Sequence, residues 1–340
     1  MHPENEFELA EKHLRNTDDV SAETCYLKCL ADDYYGPVAY YRLGEIYNRQ
    51  GKIEDAQRSH KNAFLRDSRL ARRLTNADHP HHDFEYTKAV QHITEECPLC
   101  RRQGQTHSVY NVITDIGFVP GFDPIKTWKY CDECHHIYTE RYPNDLSGVL
   151  SASNPGHYQA PRQHYFPTMS GILNDILPYA PGNQLLEVGV GSGEMIAVAN
   201  EMHFQATGIE IRPSYAKAVS ETFGIPIKAV GFEDFETDQT FDVICMGDVI
   251  EHVTDPVQVL KKAKSLLNAQ GVLWISTPNF ESATAKVLKD QNPMWRTTQH
   301  IHYFSFASMK TVLQQLDFRV VKYNVSNRYV GSMEIIAQKQ

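Results

Sequence analysis

The chain has 340 residues, of which 41% are hydrophobic and 22% are charged. These ordinary values exclude collagen-like, mucin-like and wholly disordered classes, and the length predicts two or three folded units. The formal net charge of −9 at pH 7 argues against a general nucleic-acid binder, because phosphate contacts need a basic surface.

The first residues, MHPENEFELAEKH, lack the basic region and apolar run of a secretory signal. No apolar stretch approaches the roughly 18 residues of a membrane span. Four of the seven cysteines fall in two CxxC pairs, which in a reducing compartment indicate metal ligation rather than disulfides. The sequence therefore predicts a cytoplasmic protein with no membrane partner.

Residues 1–75 carry a helical pattern with an internal period. Large and small residues follow the order of a 34-residue helix-turn-helix repeat, and a more degenerate copy precedes it. The pattern is formed by Tyr40, Leu43, Gly44, Tyr47, Ala56 and Ala63, with Leu9, Ala10, Ala22, Tyr26 and Cys29 in the earlier copy. The segment resembles tetratricopeptide repeats, with a turn near Gly51. Two hypotheses follow: a cap that only packs on the rest of the chain, or a surface that docks a peptide or protein partner.

Residues 76–96 are polar and rich in histidine, and we expect a linker with a helix from Asp83 onward. Residues 97–142 carry CPLC and CDEC on either side of strand-like patches. Four thiolates suit tetrahedral Zn²⁺, and a filled shell leaves no open position for chemistry. We therefore predict a small zinc ribbon with a structural metal. The predicted ligands are Cys97, Cys100, Cys131 and Cys134, with His135 and His136 as alternatives.

A redox role is the competing interpretation of the two CxxC pairs. It would need a reactive thiol of low pKa beside a thioredoxin-like βαβ pattern. Neither flank of the pairs shows that pattern, so the sequence favours the structural metal.

Residues 143–166 are rich in Ser, Pro, Gly and Asn and predict a hinge. In residues 167–340, short apolar strands alternate with amphipathic helices, which indicates a doubly wound α/β sheet that is buried on both faces. Sheets of this class bind ligands at the carboxyl ends of their strands. The predicted strands are 184–188, 206–211, 225–232, 241–247 and 271–277, followed by RVVKYNV and MEIIAQK.

The most specific motif is LLEVGVGSGE, in which an apolar strand turns through Gly189, Gly191 and Gly193 into a helix. A dinucleotide fingerprint would need Gly or Ala three residues after Gly191, but the chain has Glu194 there, an anion where a pyrophosphate would lie. The next strand ends near Glu210, whose carboxylate can accept both hydroxyls of a ribose. The motif therefore disfavours NAD and favours a nucleoside ligand without phosphates.

In this order and spacing, EVGVGSG, GIEI, FDVICMGDVIEHVTDP, GVLWISTPN and HIHYFS resemble the class I S-adenosylmethionine-dependent methyltransferases, which have a Rossmann-like sheet. With the CxxC pairs ahead of it, the domain also resembles a branch of bacterial methyltransferases with an N-terminal zinc ribbon. The resemblance implies contacts to the donor's methionine part, ribose, adenine and sulfonium. The implied contacts are Glu187, Gly189, Gly191 and Gly193 to the methionine part, Glu210 to the ribose, Phe232 and Glu233 to the adenine, and Gly247 and Asp248 to the sulfonium.

The methyl group of a sulfonium moves in line to a nucleophile, so the protein mainly has to align the reactants and exclude water. A hydroxyl acceptor also needs a base, usually a histidine. The candidates are His252, just after the fourth strand, and His300 and His302, whose rings lie on one side of an extended segment. Tyr303 adds a hydroxyl. The alternative is that these residues only fix their loops; of the last two histidines, His300 is favoured.

The leading hypothesis is methyl transfer to an O, N, S or C nucleophile on a small molecule or on an acceptor linked to a peptide, protein or sugar. A scaffold protein with a degenerate methyltransferase domain is the second hypothesis. A third is transfer of a larger group, such as carboxymethyl, with Arg212 or Arg162 meeting the extra carboxylate. We expect residues 143–166 and 280–300 to build the acceptor pocket, with residues 289–299 as a lid.

Overall fold

The N-terminal part of the chain is a stack of helices. In the computed structural model, which describes residues 2–87, 90–152 and 160–340, the first four of these helices pack in sequence order, each on the next. Gly44 lies so close to His60 that an added Cβ would be 2.4 Å from its ring, so the two helices need a small residue at this crossing. The predicted turn is at Gly51, whose φ is 73°. The helices are α1 (Pro3–Arg15), α2 (Asp19–Cys29), α3 (Gly36–Arg49), α4 (Ile53–Arg66) and α5 (Ala71–Leu74).

Residues 91–143 form two small antiparallel sheets. Their strands are β1 (Gln91–Ile93), β2 (Gln105–Asn111), β3 (Ile125–Cys131), β4 (His136–Thr139) and β5 (Arg141–Pro143). One sheet pairs β1 with β5, and the other has the order β2, β3, β4. A fourth strand of the second sheet, His302–Tyr303, comes from the C-terminal domain and pairs with β4. The two parts of the chain therefore share a sheet.

The predicted helix from Asp83 is wrong. Residues 84–87 have no regular secondary structure, and β1 follows in the described chain. Phe84 and Tyr86, two positions apart, both pack on the core, and the ring of Tyr86 stacks on that of Phe64 at 4.6 Å. Alternation by two residues is the period of an extended chain, so packing rather than local propensity decides the conformation here.

The predicted hinge at 143–166 is wrong for much of its described part. It contains α6 (Leu146–Ser151), and the next helix begins at Tyr165; residues 153–159 lie outside the described residues. Asp145 caps α6 by accepting a hydrogen bond from the backbone N–H of Gly148 at 2.9 Å. Leu146 and Leu150 lie one helical turn apart and are buried, which anchors the helix.

Residues 160–340 confirm the predicted α/β architecture. The helices are α7 (Tyr165–Ile176), α8 (Glu194–Glu201), α9 (Pro213–Phe223), α10 (Pro256–Leu266), α11 (Ala283–Leu288) and α12 (Phe306–Gln315). The strands are β6 (Gln184–Val188), β7 (Gln205–Glu210), β8 (Ile227–Ala229), β9 (Phe241–Gly247), β10 (Leu267–Pro278), β11 (His302–Tyr303), β12 (Phe318–Val325) and β13 (Ser332–Lys339). Except for β11, these strands form one sheet of order β12-β13-β10-β9-β6-β7-β8. Only the pairs of β13 are antiparallel within it.

The third strand of this sheet is shorter than the predicted range of 225–232. It is confined to β8, because Pro226 has no backbone N–H to donate and a turn follows at residues 232–234. The turn brings Phe232 back against the core while Glu233 stays exposed.

One hydrophobic core joins the three predicted units. It contains Tyr41 and Phe64 from the helices, Trp128 from β3, and Trp295 and Tyr303 from the C-terminal domain. None of the helices in the described ranges is both long and apolar enough to cross a membrane. The shared core means that the N-terminal helices cannot be removed without exposing apolar surface of the other two units.

Candidate active site

A cavity of about 240 Å³ lies at the carboxyl ends of β6, β7 and β9, the edge at which this class of sheet binds ligands. Its walls come from the glycine turn after β6, the ends of β7 and β9, the turn after β8, α6, and the connection between β12 and β13. The predicted cofactor residues that line it are Gly189, Gly191, Glu210, Phe232, Glu233, Gly247 and Asp248. Strands far apart in the sequence thus bring most of the predicted set together.

The glycine turn needs a left-handed backbone. Gly189, Gly191 and Gly193 have φ of 73°, 54° and 89°, values that side chains with a Cβ disfavour. A Cβ on Gly191 would meet no heavy atom within 4 Å, so this residue leaves open space beside the cavity. Gly193 does not line the cavity; its Cβ would lie 2.6 Å from Val219, so it allows α8 and α9 to pack closely.

Glu210 closes the cavity beside the turn. Its carboxylate is 2% exposed and accepts hydrogen bonds from the backbone N–H of Gly191 at 3.2 Å and of Arg212 at 3.0 Å. The Arg212 guanidinium also lies 3.8 Å from this carboxylate and lines the cavity. These contacts hold the Glu210 carboxylate at the end of β7, where two adjacent hydroxyl groups of a ligand can donate to it.

Behind the turn, Glu187 is buried and does not line the cavity directly. Burial raises the pKa of Glu187 to about 8, against the opposing effect of the Arg328 cation. One of its carboxylate oxygens, Oε2, is buried without a hydrogen-bond partner in the described part of the chain. Such an oxygen is ready to accept a hydrogen bond from a donor group on a ligand.

We expect Glu187→Gln to stabilise the ligand-free protein at high pH only. Because the pKa is raised in the fold, the native state holds the proton while the unfolded state releases it, so stability falls as pH rises from about 4.5 to about 8. Glutamine copies the neutral form and removes this loss. Thermal unfolding of both proteins should therefore give similar Tm values near pH 5 and a higher Tm for the variant at pH 8.5. Glu201→Gln, on the surface, is the control; a Tm difference that is independent of pH would contradict the assignment.

The end of β9 carries a second acid in a strained conformation. Asp248 is a non-glycine residue with φ of 55°, which costs on the order of 1–3 kcal/mol and is typical of functional sites. Its carboxylate lies 3.6 Å from the Arg328 guanidinium. The Nη1 atom of that guanidinium is 3.0 Å from the position that a Cβ on Gly247 would take. Arg328 comes from the β12–β13 connection, and its cation opposes the effect of burial, which raises the pKa of both Asp248 and Glu187.

His252 is the only predicted catalytic residue on the cavity wall in the described part of the chain. Its Nδ1 lies 2.9 Å from the carbonyl oxygen of Gln299. A carbonyl can only accept, so Nδ1 carries the hydrogen and Nε2 keeps its lone pair. Burial lowers the pKa of His252 to about 4, so the imidazole is neutral at neutral pH and able to accept a proton. The ring of His300 lies next to it, with centroids 4.8 Å apart.

The other two predicted catalytic residues lie away from the cavity wall. His302 is buried, with Nε2 2.8 Å from the Val253 carbonyl and Nδ1 3.1 Å from the ring of His136 in β4. The hydroxyl of Tyr303 accepts a hydrogen bond from the Asn292 amide at 3.0 Å, and its ring packs in the shared core. The rings of His300 and His302 both face the 252–253 segment, as the spacing predicts, but strand β11 belongs to the ribbon sheet.

The predicted lid at 289–299 is held in place rather than free. Trp295 is buried, and its carbonyl accepts a hydrogen bond from the indole of Trp128 at 2.8 Å. The rings of His107 and Trp295 stack at 5.4 Å. Trp295, the aromatic residue of the predicted lid, instead fills the core between the ribbon and the C-terminal domain, because a large apolar ring gains most when it is fully buried.

The predicted metal ligands do come together. Cys97 and Cys134 have their Sγ atoms 3.4 Å apart, Cys100 and Cys131 have theirs 3.5 Å apart, and all four lie within 4.8 Å of one another. Tetrahedral zinc with Zn–S bonds of about 2.3 Å needs sulfur atoms roughly 3.8 Å apart. The spacing and the chemistry of four thiolates therefore fit a zinc ion.

Leu146 and Leu150 line the cavity from the segment 143–166, which was expected to help build the acceptor pocket, whereas no residue of the other expected segment, 280–300, lines it. Sequence reasoning missed that this part of 143–166 is a helix, α6, and it missed the β12–β13 connection with Arg328 and Tyr329. The apolar spacing of Leu146 and Leu150 was a local signal for a buried helix. Nothing in the sequence around Arg328 indicates its position, because the residue reaches the cavity only after the antiparallel strands have paired.

The family comparison matches a region that supplies most of the residues lining this cavity. Residues 162–323 match the family described as "Methyltransferase domain". The match supports the expected methyltransferase domain in this part of the chain. The ribbon and the N-terminal helices lie outside the matched residues.

The chain spans about half the length of the curated relatives it matches. A ubiquinone biosynthesis O-methyltransferase from Actinobacillus pleuropneumoniae serotype 7 is 33% identical over 109 residues, which cover 29% of this chain and 47% of that protein. A protein of the same name from Albidiferax ferrireducens is 25% identical over 165 residues, 46% of this chain and 59% of its own length.

Among solved structures, 1,6-didemethyltoxoflavin-N1-methyltransferase from Burkholderia thailandensis is similar with a TM-score of 0.46 and 16% identity, covering 63% of this chain and 96% of that chain. Magnesium protoporphyrin IX methyltransferase from Synechocystis PCC 6803 is similar with a TM-score of 0.44 and 14% identity, covering 52% of this chain and 84% of that chain.

Proposed function

We propose that the protein transfers the methyl group of S-adenosylmethionine to a hydroxyl acceptor. The observation that carries the proposal is the pairing of the left-handed turn at Gly191 with the buried carboxylate of Glu210 on one cavity wall, inside a methyltransferase domain. The relatives named as O-methyltransferases favour oxygen as the acceptor atom. Nitrogen, sulfur or carbon acceptors, and transfer of a larger group, are alternative outcomes of the test.

The charges of the cavity suit this donor. Its ribose hydroxyls donate to Glu210, and its amino group donates to the unpartnered oxygen of Glu187 behind the turn. Asp248 would lie beside the sulfonium, and the cation of Arg328 would hold the methionine carboxylate. Asp248 beside the sulfonium and Arg328 opposite the methionine carboxylate would give the cavity electrostatic complementarity to the donor, and a bound ammonium group would favour the ionised form of Glu187.

In the proposed step, the acceptor oxygen attacks the methyl carbon as the carbon–sulfur bond breaks. The electron pair of that bond stays on sulfur, which becomes neutral in S-adenosylhomocysteine. The acceptor proton passes to Nε2 of His252, which the Nδ1 contact with Gln299 leaves free to accept it. His300, beside His252, is a second candidate for the proton.

We propose that the four cysteines hold a structural zinc ion, because they fill its coordination shell and leave no site for a substrate. We further propose that the N-terminal helices, which resemble tetratricopeptide repeats, act mainly as a cap. Their α3 and α4 pack on β2, and Tyr41 and Phe64 lie in the shared core. Docking of a peptide- or protein-linked acceptor and a cytoplasmic location stay predictions.

The direct test is donor binding followed by turnover. We expect calorimetry to show binding of S-adenosylhomocysteine, and a panel of phenols, catechols, amines and thiols with labelled S-adenosylmethionine to identify the acceptor class. His252→Asn should lower kcat by about 10²- to 10⁴-fold, the usual contribution of a general base, with little change in affinity for S-adenosylhomocysteine.

His203→Asn is the control for this variant, because His203 is exposed and its φ of 64° is one that asparagine tolerates. Absence of S-adenosylhomocysteine binding at high micromolar concentration would contradict the proposed function and favour the scaffold hypothesis. An unchanged kcat in His252→Asn would remove only the role of His252.

A further inference from the structure

The backbone of residues 297–300 presents consecutive carbonyl groups to two side chains. The Nζ atom of Lys126, from ribbon strand β3, donates to the carbonyl oxygens of Thr297, Thr298 (3.4 Å) and His300 (2.6 Å). The carbonyl between them, that of Gln299, accepts from Nδ1 of His252. The loop that orients the candidate base is therefore fixed by a residue of the ribbon.

The contacts of Lys126 in the described chain point to no role other than holding this loop. It is 6% exposed, its Nζ lies 4.3 Å from the centre of the Trp128 ring, and it forms no ion pair with a described carboxylate. Burial lowers the pKa of Lys126 well below its usual value, and the hydrogen bonds from Nζ to the loop carbonyls offset the cost of burying this group. These hydrogen bonds tie the loop to β3.

The ribbon holds the other flank of the same loop as well. Strand β11 pairs with β4, and the backbone N–H of Thr139 donates to the carbonyl of Ile301 at 2.9 Å. The ring of His136 meets that of His302, which in turn contacts the carbonyl of Val253, the residue after His252. The ribbon thus holds the chain on both sides of the pair formed by His252 and His300.

We infer that Lys126 is a positioning residue for the proposed methyl transfer: by fixing the carbonyls around Gln299, it holds His252 in the tautomer that leaves Nε2 free to accept the acceptor proton. The inference rests on the proposed function of His252. It gives the ribbon a part in the active site that a remote structural module would not have.

The test is Lys126→Met, which keeps the length of the side chain and removes its donors. Lys129→Met is the matched control, because Lys129 lies on the same strand and its Nζ donates to carbonyls outside the histidine loop, those of Thr94 and Glu95. Nitrogen-15 NMR of histidine-labelled protein reports the tautomer of His252, with His252→Asn assigning its signals. Calorimetry with S-adenosylhomocysteine reports the donor site.

In wild type and in Lys129→Met we expect His252 to have its hydrogen on Nδ1. In Lys126→Met both tautomers should be populated and kcat should fall by about 10- to 100-fold, with KM and S-adenosylhomocysteine affinity changed by less than about threefold. Such a split between kcat and binding would not follow from general destabilisation.

Lys126→Gln keeps one N–H donor and serves if the methionine variant does not fold; an intermediate tautomer ratio is expected. A His252 signal in either folded variant identical to that of wild type overturns the inference. The tautomer readout needs neither donor nor acceptor, so its failure is distinct from failure of wild-type protein to bind S-adenosylhomocysteine, which would overturn the proposed function.

Discussion

Gly191→Arg is expected to reduce the affinity for S-adenosylhomocysteine by at least about 100-fold. Gly191 lines the cavity, and a side chain built on it meets no atom within 4 Å, so the new arginine occupies the space of the ligand instead of displacing the protein. It also places a cation against the path of a cationic donor. The left-handed φ of 54° adds a cost of about 1–2 kcal/mol in stability, which is too small to unfold most domains.

Gly224→Arg controls for the strain and the added charge. Gly224 ends α9 with φ of 67°, and a Cβ on it also meets no atom within 4 Å, but the residue is not among those lining the cavity. Calorimetry should give wild-type affinity for this variant and almost no heat for Gly191→Arg. Equal affinities in the two variants would mean that the donor does not cross the glycine turn.

Cys131→Ser is expected to remove the metal and to destabilise the whole protein. Structural zinc contributes about 10–16 kcal/mol in zinc-finger peptides, which is as large as the whole stability of an ordinary domain, about 5–15 kcal/mol. Cys131 ends β3, the strand that carries Lys126 and Trp128, and that strand lies in the shared core. Loss of the metal should therefore also destabilise the methyltransferase domain. Loss of a metal from an independently folded module would not have this effect.

Elemental analysis should give about one zinc per wild-type chain and less than about 0.1 in the variant, and thermal unfolding should show a Tm lower by more than about 10 °C. Cys25→Ala is the control, because Cys25 is buried in α2 far from the cluster in sequence and should leave the zinc content unchanged. Wild-type protein without zinc after growth in zinc-supplemented medium would contradict the proposed metal.

Much of the donor site could be predicted because its signals are local. A glycine turn after an apolar strand, and an acid at the end of the next strand, are set by backbone sterics and by the parallel order of the sheet. Phe232 lines the cavity although its strand is shorter than predicted, because the turn that follows β8 keeps it at the same edge of the sheet. The catalytic residues were harder to predict, since only His252 of the four candidates lies on the cavity wall in the described chain.

The amino-acid sequence by itself determined the α/β sheet, the glycine turn with Glu210, and the four clustered cysteines, because each depends on residues close together or on a repeating strand–helix order. Only the tertiary structure shows that the HIHYFS segment contributes a strand to the ribbon sheet, and only it shows the contacts of Lys126 and Arg328. Lys126 meets the carbonyl of Thr297 across 171 residues of chain, and such contacts depend on how whole sheets pack. Local sequence patterns do not show that packing, because side chains far apart in the sequence come into contact only in the assembled sheets.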